Sequence, residues 1–189
     1  MAVKSCDSGI SASLKSEKQV LDQIGFCPQI IRCFGDGYSV EDGETLYNLF
    51  LEYADKGSLA DHVKKNGGKL TESDVRRYAR SILKGLRFLH AKGFVHCDIK
   101  LQNILLFGNG DVKIADFGLA KRNGDEEQRK MEIRGTPLNL APESVNNNEL
   151  GFNPINNFFP INIPGEFKTR FTVFQLHFIG FGSDSSIRL

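Results

Sequence analysis

The sequence predicts an α+β fold, and three features carry that expectation. A long amphipathic stretch runs from Thr71 to Ala91, with Val75, Tyr78, Ala79, Ile82, Leu83, Leu86 and Leu89 keeping one apolar stripe. Strand-like pieces flank turn-forming residues at Glu41-Asp42-Gly43-Glu44 and at Asn109-Gly110. The order matters as well: strands with one helix among them come first, and a helix-led half follows. At 189 residues the chain is long enough for one domain with a real core.

Taken in order, Ala2–Cys6 has the pattern of a short strand and is followed by a Ser/Gly loop. Ser11–Ile24 then reads as a helix, because Leu14, Val20, Leu21 and Ile24 fall at helical spacing and Gly25 supplies a stop. Two strands are expected next, Ile30–Phe34 and Leu46–Tyr53. Gly57 and Ser58 open a short helix that ends at Gly67-Gly68. In the long helix Thr71 and Asp74 form a capping-box pattern, and Gly93 closes the element. Ile104–Phe107 and Val112–Ala115 make a hairpin around Asn109-Gly110.

Composition narrows the function classes. Lys plus Arg at 24 against Asp plus Glu at 23 leaves a net charge of +1, which gives no reason to expect nucleic acid or a membrane surface as a partner. Cys6, Cys27, Cys33 and Cys97 form no CxxC pair, so neither a zinc ribbon nor a disulfide framework is expected. No secretion signal or membrane-spanning run is seen, and the expected location is cytoplasmic or nuclear. The last 39 residues differ from the rest. They hold 8 of the 15 Phe and only five charges, with many Asn and Pro. The expected division is therefore 1–149 and an irregular tail, 150–189, whose best regular piece is one short strand at Phe171–Phe178.

The chemistry concentrates in Phe94–Asn103, which reads FVHCDIKLQN. Asp98, Lys100 and Asn103 lie between the long helix and the hairpin, where side chains can converge without helical spacing. Thirteen residues after Asn103 come Asp116-Phe117-Gly118, at the exit of the second hairpin strand. Asn103 and Asp116 are oxygen donors suited to a hard cation such as Mg²⁺ bridging phosphates. Lys100 would offset charge on a transferring phosphoryl group, and Asp98 would accept or orient the proton of a substrate hydroxyl. Positioning plus electrostatics is what phosphoryl transfer requires. His96 is read as a structural hydrogen-bonding residue, Cys33 and Cys97 as small packing residues, and Phe117 as a core residue that orients Asp116.

With these residues in place the chain resembles a eukaryotic protein kinase, and the matching motifs follow the family's order. Ala2-Val3-Lys4 resembles the lysine motif on the third strand of that fold, and Glu17 the glutamate of the helix that pairs with it. Leu51 resembles the gatekeeper. Glu52-Tyr53-Ala54 resembles the hinge, in which backbone groups, here those of Glu52 and Ala54, bind adenine. His96-Cys97-Asp98 through Asn103 resembles the catalytic loop, and Asp116-Phe117-Gly118 the metal-binding motif. Gly135-Thr136-Pro137 and Ala141-Pro142-Glu143 resemble the end of the activation segment. Lys100 is the Ser/Thr form of the loop, and HCDIKLQNILL with GTPLNLAPE looks most like plant mitogen-activated protein kinase kinase kinases.

The resemblance implies a partial kinase fold, with an incomplete sheet and its helix followed by part of a helical lobe, truncated at both ends. It implies ATP and Mg²⁺ as cofactors and a protein substrate, a MAP kinase kinase being the class that fits a MAP kinase cascade. Asp98 would be the base, with Lys100, Lys4 and Glu17 completing the catalytic set. Lys4, Lys100, Asn103 and Asp116 would meet the nucleotide, and Asn103 and Asp116 the metal. The sequence also departs from the family. No Gly-rich loop precedes Ala2, Cys97 stands where arginine is usual, and Asn139 where an aromatic is common. No Asp-Trp-x-x-Gly helix follows Glu149. Two readings stay open: a serine/threonine kinase, or an inactive pseudokinase-like fragment that acts by binding a kinase, a substrate or a scaffold.

Overall fold

The computed structural model describes residues 1–122. The expectations placed on Gly135–Glu143 and on the tail strand Phe171–Phe178 lie outside the described residues. Within them the α+β expectation holds.

A three-stranded antiparallel sheet opens the chain. Its strands are β1 (Ala2–Asp7), β2 (Cys33–Glu41) and β3 (Glu44–Leu51), in the order β1-β3-β2. Helix α1 (Ala12–Ile24) crosses from β1 toward β2, with Ser11 at its N-cap and Gly25, at φ +72°, just beyond its end. Leu14, Glu17, Val20, Leu21 and Ile24 make up its buried stripe. The Ser/Gly loop expected before it is a 3₁₀ turn, Ser8–Ile10, in which Asp7 accepts the Gly9 N–H.

Strand β2 departs from expectation. Ile30 forms only an isolated bridge to Ile114, and the strand itself starts at Cys33 and runs for nine residues. Gly35-Asp36-Gly37 has poor strand propensity, so local sequence hides this element. Pairing with β3 along the whole length imposes it, with an irregular register at Cys33/Gly35 that Gly35 absorbs at φ +144°.

The second half packs two helices against small hairpins. Helix α2 (Leu59–Lys65) begins with a complete capping box between Ser58 and Asp61. Helix α3 (Glu72–Ala91) is capped by Thr71, whose hydroxyl accepts the Asp74 N–H. The reciprocal bond expected there is replaced by the Thr71 hydroxyl donating to the Asp74 carboxylate at 2.8 Å. The buried stripe of α3 contains Gly85, while Leu83 is half-buried. A Cβ on Gly85 would lie 2.9 Å from Ile114 Cδ1 and 3.1 Å from the Gln29 carbonyl, so glycine lets helix and hairpin approach.

After α3 come β4 (Phe94–Val95), β5 (Ile104–Leu106), β6 (Val112–Ile114) and β7 (Lys121–Arg122). The β5–β6 hairpin is the expected one. The pairing of β4 with β7 has no sequence signal, since two residues are too few to show a period. One apolar cluster joins α1, the loop after it, α3 and the hairpin around Ile24, Leu59, Leu89, Ile104, Ile114 and Phe117. Main-chain bonds from Ile31 N–H to the Ile114 carbonyl and from Ile114 N–H to the Gln29 carbonyl, both 2.9 Å, stitch the two halves together.

Candidate nucleotide and phosphoryl-transfer site

Two groups of polar side chains converge where the halves meet. The first begins on β1, where alternation leaves Ala2, Lys4 and Cys6 less exposed than Val3, Ser5 and Asp7. Glu17 sits within the apolar stripe of α1 and is 1% exposed. A buried carboxylate needs partners, and it has two. Its Oε2 accepts a bond from Lys4 Nζ at 2.8 Å, and its Oε1 accepts the Phe117 N–H at 3.0 Å. Lys4 Nζ also donates to Asp116 Oδ1 at 2.9 Å. Three distant segments thus meet on one ammonium group. Burial alone would push the Lys4 pKa down, but the Glu17 and Asp116 carboxylates more than offset it and the net shift is upward. Lys4 is therefore a fixed cation.

The second group is local. Asp98, 6% exposed, accepts Lys100 Nζ at 2.7 Å. Asn103, at the end of the 3₁₀ turn Leu101–Asn103, donates its Nδ2 to the Asp98 carbonyl at 2.9 Å and to Asp98 Oδ2 at 3.0 Å. With the amide nitrogen committed to Asp98, Oδ1 is the Asn103 atom left to act as an oxygen ligand. Cys97 and Asp116 both adopt φ +65°, a left-handed conformation uncommon for residues other than glycine. Strain of this kind gathers at functional sites.

His96 joins the two groups. It is 1% exposed, and its Nδ1 lies 3.2 Å from the Asp98 N–H, which can only donate. The ring proton therefore belongs on Nε2, which donates to the Ala115 carbonyl at 3.0 Å. Burial lowers the His96 pKa, so a neutral ring holding both loops is its role, as expected from sequence. Phe117 is fully buried, with its ring edge-on to His96 at 4.8 Å between centroids. Gly118 passes so close to α1 that a Cβ there would lie 2.9 Å from Ser13 Oγ.

The sequence-predicted residues fall as follows. Lys4, Glu17 and Asp116 come together, and so do Asp98, Lys100 and Asn103. Glu52 turns its side chain away, with Lys113 Nζ at 2.6 and 2.8 Å from its two carboxylate oxygens, so backbone groups alone remain for a ligand at this position. The Ala54 carbonyl accepts the Gly57 N–H at 3.2 Å, closing a turn whose Ala54 N–H takes no part in that bond. Sequence reasoning missed Lys113 and Ser13. Lys113 carries no local signal in a short strand, and its partner lies 61 positions away. The Cys33 and Cys97 thiols contact main-chain carbonyls, of Gly35 and Val95, at 3.6 Å, in keeping with packing roles.

The donor set suits a nucleotide with Mg²⁺. No group of three or more His, Cys, Asp or Glu side chains among the described residues could hold a metal alone. Mg²⁺ does not require one, since it is commonly held by one or two protein oxygens together with substrate phosphates. Asp116 and Asn103 carry such oxygens, and Lys4 places a cation beside Asp116. No helix among the described residues is long and apolar enough to cross a membrane.

The family model described as the protein kinase domain matches residues 1–154. Mitogen-activated protein kinase kinase kinase 20 of Arabidopsis thaliana is 61% identical over 155 residues, covering 80% of this chain and 45% of that protein. Mitogen-activated protein kinase kinase kinases 17 and 18 of the same plant are 40% and 41% identical over 152 and 157 residues, again covering 80% of this chain. These matches take in 40% and 45% of the two relatives, so the chain spans less than half the length of the three curated relatives it matches. With the family model matched over 154 of its 189 residues, this chain belongs to the protein kinase domain family.

Proposed function

We propose that this chain is the part of a serine/threonine protein kinase that carries its catalytic loop, transferring the γ-phosphoryl group of ATP to a protein substrate. The observation that carries the reading is the placement of Lys4 Nζ between a fully buried Glu17 and Asp116, at 2.8 and 2.9 Å. Burial of Glu17 accounts for one of these pairs, and the second, to Asp116, is beyond what that burial needs. The ammonium makes sense as a cation held in place for phosphate.

In this reading Asp98 accepts the proton of the substrate hydroxyl, and Asn103 holds its carboxylate in place. Lys100, 2.7 Å from that carboxylate, lies where negative charge shifts during transfer. Asn103 Oδ1 and Asp116 would hold Mg²⁺, which when bound neutralises phosphate charge and orients the transferring group. Glu17 fixes Lys4 and, through the Phe117 N–H, the loop carrying Asp116. The backbone groups of Glu52 and Ala54 would receive adenine. The names of the relatives support placement in a MAP kinase cascade, with a MAP kinase kinase as the class of substrate.

The test is transfer of labelled γ-phosphate to a MAP kinase kinase by the full-length protein. Asp98→Asn is expected to lower kcat by about 10²–10⁴-fold, the usual worth of a positioned general base. Equal transfer by the variant, or none by a folded parent, would overturn the reading and leave the binding role as its replacement.

A further inference from the structure

We infer that Lys113, through its ion pair with Glu52, is a positioning residue for the backbone segment that receives the nucleotide base. The inference rests on the nucleotide reading above and adds a residue to it.

Glu52 follows directly on Leu51, the last residue of β3, where the chain leaves the sheet for α2. Its carboxylate takes Lys113 Nζ at 2.6 and 2.8 Å on one side and the Arg32 N–H at 3.3 Å on the other. Its own N–H donates to the Arg32 carbonyl at 2.9 Å. The Glu52 residue is thus gripped from β6 and from the segment leading into β2. Both members of the pair are mostly withdrawn from water, with side chains 16% and 25% exposed for Lys113 and Glu52. The lysine ammonium also lies over the face of the Phe107 ring, 4.9 Å from its centre.

The other end of the pair is as firmly placed. Lys113 is registered against Leu105 in the β5–β6 hairpin. The next two residues are bonded outward: Ile114 N–H to the Gln29 carbonyl and Ala115 N–H to the Asn103 carbonyl at 2.8 Å. Asp116 follows. A single ammonium therefore ties the segment Glu52–Ala54 to the strand that delivers the metal-site carboxylate. Further along, the Ser58–Leu105 bridge and the Lys56 N–H to Leu106 carbonyl bond hold the segment after Ala54 to the same hairpin. Glu52 lies at the opposite end of this stretch and has the side-chain pair to fix it. Without Lys113 a half-buried carboxylate would lose its cation and swing toward water, turning the adjoining carbonyl with it.

The test uses the full-length protein and separates base recognition from phosphate chemistry. KM for ATP, kcat and the affinity for adenosine, which has no phosphates, are measured for the parent, K113M, K113R and the exchange E52K/K113E. K113M is expected to weaken ATP and adenosine alike, on the order of tenfold, with kcat within about twofold. K113R and the exchange are expected to recover most of that loss. Unchanged adenosine affinity in K113M, a fall confined to kcat, or no recovery in either charge-retaining variant would overturn the inference. A parent that binds neither ATP nor adenosine would overturn the nucleotide reading itself, and this inference with it.

Discussion

The two polar groups of the site are built in opposite ways. Lys4, Glu17 and Asp116 come from a strand, a helix and a hairpin exit separated by up to 112 positions. Asp98, Lys100 and Asn103 lie within six consecutive residues, and one 3₁₀ turn sets most of their geometry. The first group exists only while α1 stays docked, and the second is nearly local. A shift of α1 can therefore dismantle the Lys4 group and leave the Asp98 group intact.

The largest effect expected is from removing Glu17. Glu17→Ala strips Lys4 of one carboxylate and leaves the buried Phe117 N–H without its acceptor, costing about 2–3 kcal/mol of stability. ATP with Mg²⁺ should no longer raise the melting temperature. Hydrogen exchange should show the Asn103 and Ala115 amides still protected, because their bonds do not involve α1. Loss of that protection would show that the two groups are one unit. Asn103→Ala breaks the comparison from the other side. It removes two bonds to Asp98 and should cost about 1–2 kcal/mol, with the Lys4–Glu17 pair preserved. A loss as large as that of Glu17→Ala would sink the idea that the loop is the more local construction.

Legibility from sequence followed the same division. The loop could be read directly, since FVHCDIKLQN places its chemistry within one short window. In the triad Asp116 could be read from its place at the hairpin exit, but Lys4 and Glu17 only by resemblance: nothing local distinguishes Glu17 from a surface glutamate except its place on the stripe Leu14, Val20, Leu21 and Ile24. The helices and the hairpin were visible because their periods and caps are local signals. Strand β2 and the β4–β7 pair were not, since glycines and two-residue length leave no period, and tertiary pairing makes those strands. The Ser58 capping box was overlooked in a short helix although its S-x-x-D pattern is plain. The Glu52–Lys113 pair had no local signal at all.

A smaller effect probes the contact between α1 and the loop after Asp116. Gly118→Ala would place a methyl group 2.9 Å from Ser13 Oγ, so the exposed serine hydroxyl must turn aside. The expected cost is about 1 kcal/mol, within the usual range for overpacking, together with weaker nucleotide stabilisation. Ser13→Ala should recover part of both losses in the double variant. A cost that simply adds would place the strain elsewhere than at this contact.

A change of pH separates the joint between the two groups from its surroundings. His90, on α3, is lowered to about 4, by burial first and then by the neighbouring His96 ring. The His96 shift has the same direction and the same leading cause. For a histidine depressed in the folded state, the unfolded chain takes up the proton first. Stability should therefore fall as the pH drops below about 6.5, the ordinary histidine value, and level off for His90 only near 4. Urea midpoints between pH 7.5 and 4.5 measure this. His90→Gln should make the slope shallower while leaving the part due to His96, the residue that holds Asp98 to Ala115. If the slope is unchanged in His90→Gln, the acid sensitivity belongs to the joint alone, and protonating one buried ring would loosen both groups together despite their separate construction.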